Sequence, residues 1–248
     1  TYATLRNEII TNDKPNATEN DLVFDNYAVE RFRLNDDPIM YPSIDWRRYL
    51  LNKTSVQTQH NLNISGGTKD IRYFISLGIL YQNGLLKQFE GVGYDNNYKY
   101  KRYNYRANLD FDATKTTTLK IGIGGIVGNR NEPMINDATN SIWTLINQTT
   151  PFSSPGVIDG KLIVTPEERF DNKINLGNSA LPKCYGTGYS TAINNTMNLD
   201  LLLNQKLDFI TKGLSAEIKG AYNTSYGFTK KRKGQVEQFM PFYQSSLE

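Results

Sequence analysis

One cysteine and one histidine occur among the 248 residues. With Cys184 alone, no internal disulfide can form and no cysteine metal cluster can be built. His60 falls on the apolar face of an alternating run, where a structural imidazole is expected rather than a ligand. No stretch reaches the roughly 18 consecutive apolar residues of a membrane-crossing helix. The opening Thr1-Tyr2-Ala3-Thr4-Leu5-Arg6 lacks the basic-then-apolar pattern of a secretory signal. Net charge is only +3, so no basic field directs the chain to nucleic acid. There is no nucleophile elbow, phosphate-binding glycine loop or metal-ligand cluster; Gly122-Ile123-Gly124-Gly125 belongs to a strand pattern, not to a strand-to-helix turn. Asp110, Asp112, Asp200 and Glu217 fall on polar strand faces, where pairing with Arg102, Arg106 or Lys219 is expected. These absences argue against an enzyme and call for no cofactor or metal.

What is present is alternation. Val56, Thr58, His60, Leu62 and Ile64 alternate with Gln57, Gln59, Asn61, Asn63 and Ser65. Successive side chains of a strand point to opposite faces, so one face is apolar and the other carries amides and hydroxyls. After Gly66-Gly67-Thr68-Lys69-Asp70 the pattern resumes with Ile71, Tyr73, Ile75, Leu77, Ile79 and Tyr81 on one face. A third run sets Tyr103, Tyr105, Ala107, Leu109 and Phe111 against Arg102, Asn104, Arg106, Asn108 and Asp110. A fourth sets Leu119, Ile121, Ile123 and Val127 against Thr118, Lys120 and three glycines, whose presence predicts close packing against the backbone. The fifth uses Ile193, Met197, Leu199, Leu201 and Leu203, and the sixth Leu214, Ala216, Ile218, Tyr222, Tyr226 and Phe228. Runs this long exceed the usual soluble strand of about 5–6 residues and suit a tilted membrane strand of about 9–11.

Between the runs, short and long connections alternate. The turns at Gly66, Thr114 and Asp208 are short; the segments before Ser55, from Asn83 to Tyr98, from Asn129 to about Ser190, and after Thr229 are long. Short helices are predicted at Thr4–Ile10, at Asn26–Phe32 with Asp25 as N-cap, and at Ala138–Gln148, whereas Tyr41–Trp46 reads as irregular. Outer-membrane barrels have this loop asymmetry, with short periplasmic turns and long extracellular loops. In that orientation Tyr81, Tyr103, Tyr105, Tyr226 and Phe228 fall at the extracellular rim, and Tyr73 and Phe111 at the periplasmic rim, as aromatic girdles do. The expected fold is therefore all-β: an antiparallel transmembrane β-barrel whose long extracellular loops carry short helices. The alternative is a soluble or surface β-sandwich that binds glycans without transport, its apolar face forming a core.

Particular residues add a resemblance. His60-Asn61-Leu62-Asn63-Ile64-Ser65-Gly66-Gly67-Thr68, followed by Arg72-Tyr73-Phe74-Ile75-Ser76-Leu77-Gly78-Ile79-Leu80-Tyr81-Gln82-Asn83-Gly84, resembles the barrel of SusC/RagA-type TonB-dependent transporters of Bacteroidetes outer membranes. Tyr41-Pro42-Ser43-Ile44-Asp45-Trp46 and Tyr103-Asn104-Tyr105-Arg106-Ala107-Asn108-Leu109-Asp110 are similar to further segments of that family. The match is closer over 1–128 than beyond. The resemblance implies that residues 1–248 are part of a roughly 22-stranded barrel, contributing about six strands, with its plug domain not in this chain. It implies a multi-pass protein of the Gram-negative outer membrane, in contact with its lipid. The partners it implies are a SusD-like surface lipoprotein and the TonB–ExbB–ExbD complex acting on the plug, and the cargo oligosaccharides or peptides. The lack of an initial Met and the ending Tyr243-Gln244-Ser245-Ser246-Leu247-Glu248 are expected of a piece of a longer polypeptide.

Solute capture needs aromatic faces and amides. In the long loop Trp143, Phe152, Tyr185 and Tyr189 are candidates for the first, and Asn140, Asn147 and Asn178 for the second. The more ordinary role for Trp143, with Ile142 and Ile146, is to pin the loop helix to the rim or to a lid protein. Asn108, Asn198 and Asn223 are candidate lumen liners, facing either the plug or the solute.

Overall fold

A computed structural model describes residues 2–135, 141–166, 170 and 179–242. Helices α1 (Tyr2–Asp13), α2 (Asn26–Leu34) and α3 (Trp46–Leu50) precede strands β1 (Gln57–Gly67), β2 (Ile71–Asn83), β3 (Lys99–Asp112) and β4 (Thr117–Pro133). Then come α4 (Ile142–Gln148), a short hairpin of β5 (Gly156–Ile158) and β6 (Lys161–Ile163), and α5 (Ala180–Tyr185). Strands β7 (Gly188–Lys206), β8 (Ser215–Lys233) and the short β9 (Gln238–Phe239) follow.

The helix starts have local causes. The Asp25 carboxylate accepts the Ala28 N–H at 2.6 Å, as its N-cap position predicts. Asp45 does the same for Arg48 at 3.1 Å and starts α3, a helix that the irregular reading of Tyr41–Trp46 did not anticipate. The hairpin β5–β6 turns through Asp159 and Gly160, both at positive φ (50° and 71°), the conformation that Asp-Gly favours in a two-residue turn.

Strands β1, β2, β3, β4, β7 and β8 form one antiparallel sheet in that order. The sheet is open, with β1 and β8 at its edges. Its strands are 11, 13, 14, 17, 19 and 19 residues long. They outrun the alternating segments because β4 and β7 keep pairing into the stretch expected to be irregular, as far as Pro133 opposite Tyr189.

The register aligns every alternating face. Ile71, Phe111, Leu119, Leu203 and Ile218 lie in one row across β2, β3, β4, β7 and β8. Ile79, Tyr103, Val127, Asn195 and Tyr226 form another, and Tyr81, Lys101, Asn129, Ile193 and Phe228 the next. A slip of one residue in any strand would send its apolar set to the other side. From the Ile71 row to the Tyr81 row is ten residues, roughly 33 Å along the strand. At a tilt near 45° this spans about 25 Å, the height of a lipid-facing band. No second sheet covers this face among the described residues, and Leu62 and Tyr222 remain 55% and 59% exposed.

Two glycines show why bulk is excluded there. A Cβ on Gly125 would lie 2.4 Å from the Thr196 carbonyl oxygen and 2.5 Å from the Tyr105 hydroxyl, because the Tyr105 ring lies over the Gly125 backbone. Gly66 is covered in the same way by Tyr73. Gly220, on the same face, has open space. Gly125→Val should therefore destabilise the sheet by about 1–3 kcal/mol, read as a lower denaturant midpoint of the full-length protein in detergent. Gly220→Ala should stay within about 0.5 kcal/mol of the parent.

Candidate functional site

The long connections pack together at one end of the sheet into a cap. Its main core joins Trp46 and Leu50 of α3, Leu86 after β2, Ile142, Leu145 and Ile146 of α4, Leu162 of β6, and Leu181, Cys184 and Tyr185 of α5. Several buried polar groups of the cap are matched, although Asn97 Oδ1, Thr150 Oγ1 and Thr165 Oγ1 have no partner among the described residues. The Trp46 indole N–H donates to the Thr150 carbonyl at 2.8 Å. The Tyr185 hydroxyl donates to the Lys87 carbonyl at 2.6 Å, and the Tyr185 carbonyl accepts the Tyr94 hydroxyl at 2.6 Å. The Tyr94 oxygen in turn accepts the Gly188 N–H at 2.9 Å, tying the cap to the first residue of β7. A second cluster of Ala3, Val23, Phe24, Ala28, Phe152 and Phe170 holds α1 and α2 to the cap. Phe24 packs edge-on to Phe152 and Phe170, with centroids 5.1 and 5.2 Å away.

These packing positions decide the roles of the candidate residues. Tyr185 and Phe152, read from sequence as solute-stacking rings, are 1% and 2% exposed and serve the two cores. A ring enclosed on both faces has none to offer a solute. Tyr189 is half-buried, stacked on Tyr94 at 5.6 Å, with its hydroxyl accepting from Arg232. Asn140 and Asn178 lie outside the described residues. Trp143 is 49% exposed, while Ile142 and Ile146 beside it are buried. Asn147 is exposed one turn from Trp143, on the same face of α4. Its side-chain oxygen accepts the Arg47 guanidinium at 3.2 Å. The exposed face of the cap thus carries an indole, an amide and a cation side by side. Arg47 had no signal in the sequence, because only α3 and its Asp45 cap turn it toward α4.

Burial governs the titration of the cap. Desolvation pushes the Cys184 thiol from its ordinary 9.0 up to about 12. It also raises Tyr185 and Tyr94, the latter opposed by the Gly188 N–H. All three are held neutral, which suits packing and not acid–base chemistry.

The polar face of the sheet is the second candidate surface. Asn198 lies directly opposite Asn223, and Asn108 opposite Gly122 one row nearer the short turns. Asn198 lines a groove with Ser76, Arg102, Asn104, Arg106 and Thr196. Asn108 lines a neighbouring one with Arg72, Asp110, Lys120, Asp200 and Lys219. The pairing differs from expectation: Asp112 and Asp110 lie 3.5 and 4.0 Å from Arg72, not from Arg102 or Arg106. Arg72 is the nearer partner because it stands directly opposite Asp110 in the ladder. Among the described residues Arg102 Nε and Asn104 Oδ1 are buried without a hydrogen-bond partner.

Cys184 should resist maleimide at pH 8 in the folded protein and react only after unfolding, as measured by mass shift. Because its folded value lies above the unfolded one, its contribution to stability is complete below about pH 9 and is lost as pH rises toward 12. Cys184→Ala should flatten that alkaline part of the stability profile.

No family model matches the chain. It is 28% identical over 125 residues to the TonB-dependent receptor SusC of Bacteroides thetaiotaomicron, a match covering 45% of this chain and 12% of that protein. The solved RagAB peptide importer in its closed-closed state superposes with a TM-score of 0.51 at 14% identity, over 80% of this chain and 21% of that chain. A second RagAB peptide transporter structure gives 0.49 at 17% identity, over 82% and 22%. The chain spans only a small part of each. The fold is that of a stretch of wall in the RagAB importer, and the resemblance to SusC/RagA-type transporters is borne out by sequence and by fold.

Proposed function

We propose that this chain forms part of the wall and extracellular cap of a TonB-dependent outer-membrane transporter that imports oligosaccharides or peptides. The carrying observation is the sheet itself. Six long strands in unbroken register present one face that is mainly aliphatic and aromatic and has no carboxylate, with lysine and arginine only toward the long loops, and one polar face with grooves. In hydrocarbon, strands survive only when every backbone group is paired within the sheet, and a lipid-facing wall needs this division of faces. The glycan-binding sandwich would need a second layer over the apolar face, and the described residues supply none.

In this reading the cap meets the solute first. Trp143 offers an apolar ring face, Asn147 an amide, and Arg47 a cation for a carboxylate or a ring oxygen. Tyr189 stands at the junction of cap and wall. Asn108, Asn198 and Asn223 line the route, facing the plug or the solute. A SusD-like lipoprotein closing over the cap and a TonB–ExbB–ExbD complex pulling on the plug complete the cycle. The work in this chain is binding and guidance; no bond is made or broken.

The full-length protein should remain in the outer-membrane pellet through carbonate and urea washes and leave it only with detergent. Recovery in the soluble fraction would return the sandwich to first place. Cells deleted for the protein should lose uptake of one class, glycan or peptide, when labelled mixtures of each are offered. Trp143→Ala should raise the half-saturating solute concentration about 3–10-fold, the size of one lost aromatic contact, with the amount of folded protein unchanged. An unchanged value would leave Trp143 to the contact with the lid.

A further inference from the structure

The two halves of the polar face differ in charge. On the long-loop half, successive rows run from that of Tyr100 and Arg130 down to that of Arg106 and Gly124. Across all six strands these rows hold Arg102, Arg106 and Arg130 and no Asp, Glu or Lys. The first carboxylate, Asp200, stands one row lower, and Arg72, Asp110, Lys120 and Lys219 mix both signs in the row after it. Arg130 is paired with Glu132 at 3.3 Å. Arg102 and Arg106 have no carboxylate partner among the described residues, because the acids near them, Asp110 and Asp112, are taken by Arg72.

These two arginines share one groove. They stand four residues apart on one face of β3, roughly 13 Å along the strand. Both line a cavity of about 470 Å³, with Asn104 between them and Thr196 and Asn198 forming the opposite wall. Between the walls the floor is bare. A Cβ on Gly124 would meet only the Tyr105 carbonyl oxygen, at 3.5 Å. Gly128 is covered by the Tyr100 ring, and Gly122 by the side chains of Asn108 and Asp200. Glycine inside a strand marks the close approach of another group to the backbone. At Gly124 the described residues supply no such group from above.

Resting on the reading that the polar face lines the transport route, we propose that this groove binds an extended solute bearing carboxylates, and that the cargo is acidic and not neutral. Each guanidinium presents a fork of N–H donors that matches a carboxylate. An extended chain engages both at once, with the Asn104 and Asn198 amides and the Thr196 hydroxyl available to its other polar groups. The bare floor at Gly124 lets that chain lie against the strand. Charge of one sign along the wall of a narrow passage favours ions of the other, and the lack of a nearby acid leaves that preference unopposed. The mixed rows below carry no such preference. A carboxylate of the plug would answer the same guanidiniums, and the test separates the two sources.

Affinities are measured by calorimetry on the full-length protein in neutral detergent. The probes are two matched pairs: trigalacturonate with its methyl ester, and tetraglutamate with tetraglutamine. In at least one pair the acid should bind about tenfold or more tightly than its neutral counterpart, and the preference should shrink in high salt. Arg102→Gln/Arg106→Gln should abolish the preference, and Arg102→Lys/Arg106→Lys should restore part of it. Gly124→Val, which fills the floor, should weaken the acid about tenfold with the melting temperature unchanged. Equal binding of acid and neutral members in both pairs, or binding of neither acid, overturns the site. A double glutamine variant that keeps the preference also overturns it; if its melting temperature falls as well, the arginines serve a carboxylate of the plug. Should that variant not fold, the preference of the parent and its response to Gly124→Val decide. A protein that stays soluble without detergent would instead refute the membrane reading, before any solute is added.

Discussion

The paired backbone of the six long strands is the constraint on which the rest depends. A strand wall exposed to hydrocarbon cannot leave N–H or C=O groups unmatched, since each would cost several kilocalories per mole. Matching them fixes register over the full length of every strand. Register then fixes which side chains share a face, because the side-chain period is two. From this one requirement follow the outward rows without a carboxylate, the grooves opposite, and the need for small residues where rings cross the backbone. Gly125 under Tyr105 is the clearest case: the ring fills the space that a side chain would have taken and shields the Thr196 carbonyl beside it.

The cap obeys different rules. It has no long sheet, so it is stabilised by a conventional buried core and by side chains that satisfy loop carbonyls. Tyr185 shows the division. Its ring fills the core, its hydroxyl binds the Lys87 carbonyl, and its own carbonyl receives Tyr94, which reaches the first residue of β7. Loops separated by about a hundred residues are thereby made one body above the wall. A cap of this kind can present Trp143, Asn147 and Arg47 in fixed positions, which a free loop could not do without losing conformational entropy on binding.

Much of the wall was legible in the sequence because alternation is a local signal. Ile71 to Tyr81 and Leu119 to Val127 declare their faces residue by residue, and the Asp25 cap declares α2. The ends of β4 and β7 were not legible, since Glu132, Pro133, Tyr189 and Ser190 pair only because the ladder below them is already in register. The Asp159-Gly160 turn carried a signal that length alone obscured, three-residue strands being too short to show a period. The cap was hardly legible at all. Aromatic residues in a loop look alike whether they meet a solute or a core, and only packing separates Trp143, which is exposed, from Phe152 and Tyr185, which are enclosed. Arg72 likewise took the carboxylates expected for Arg102 and Arg106 because cross-strand position, not sequence proximity, sets ion pairing.

The most direct measurement is a scan of single cysteines from Asn198 to Leu203 along β7 of the full-length protein in bilayers, in a Cys184→Ala background. Each site carries a fluorescent label challenged by brominated lipid and by aqueous iodide. Labels at 199, 201 and 203 should be quenched by the lipid, and those at 198, 200 and 202 spared by it, in a strict two-residue alternation. Lipid quenching at none of the six, or the same quenching at neighbouring positions, would contradict a membrane wall and leave the apolar face to a protein layer.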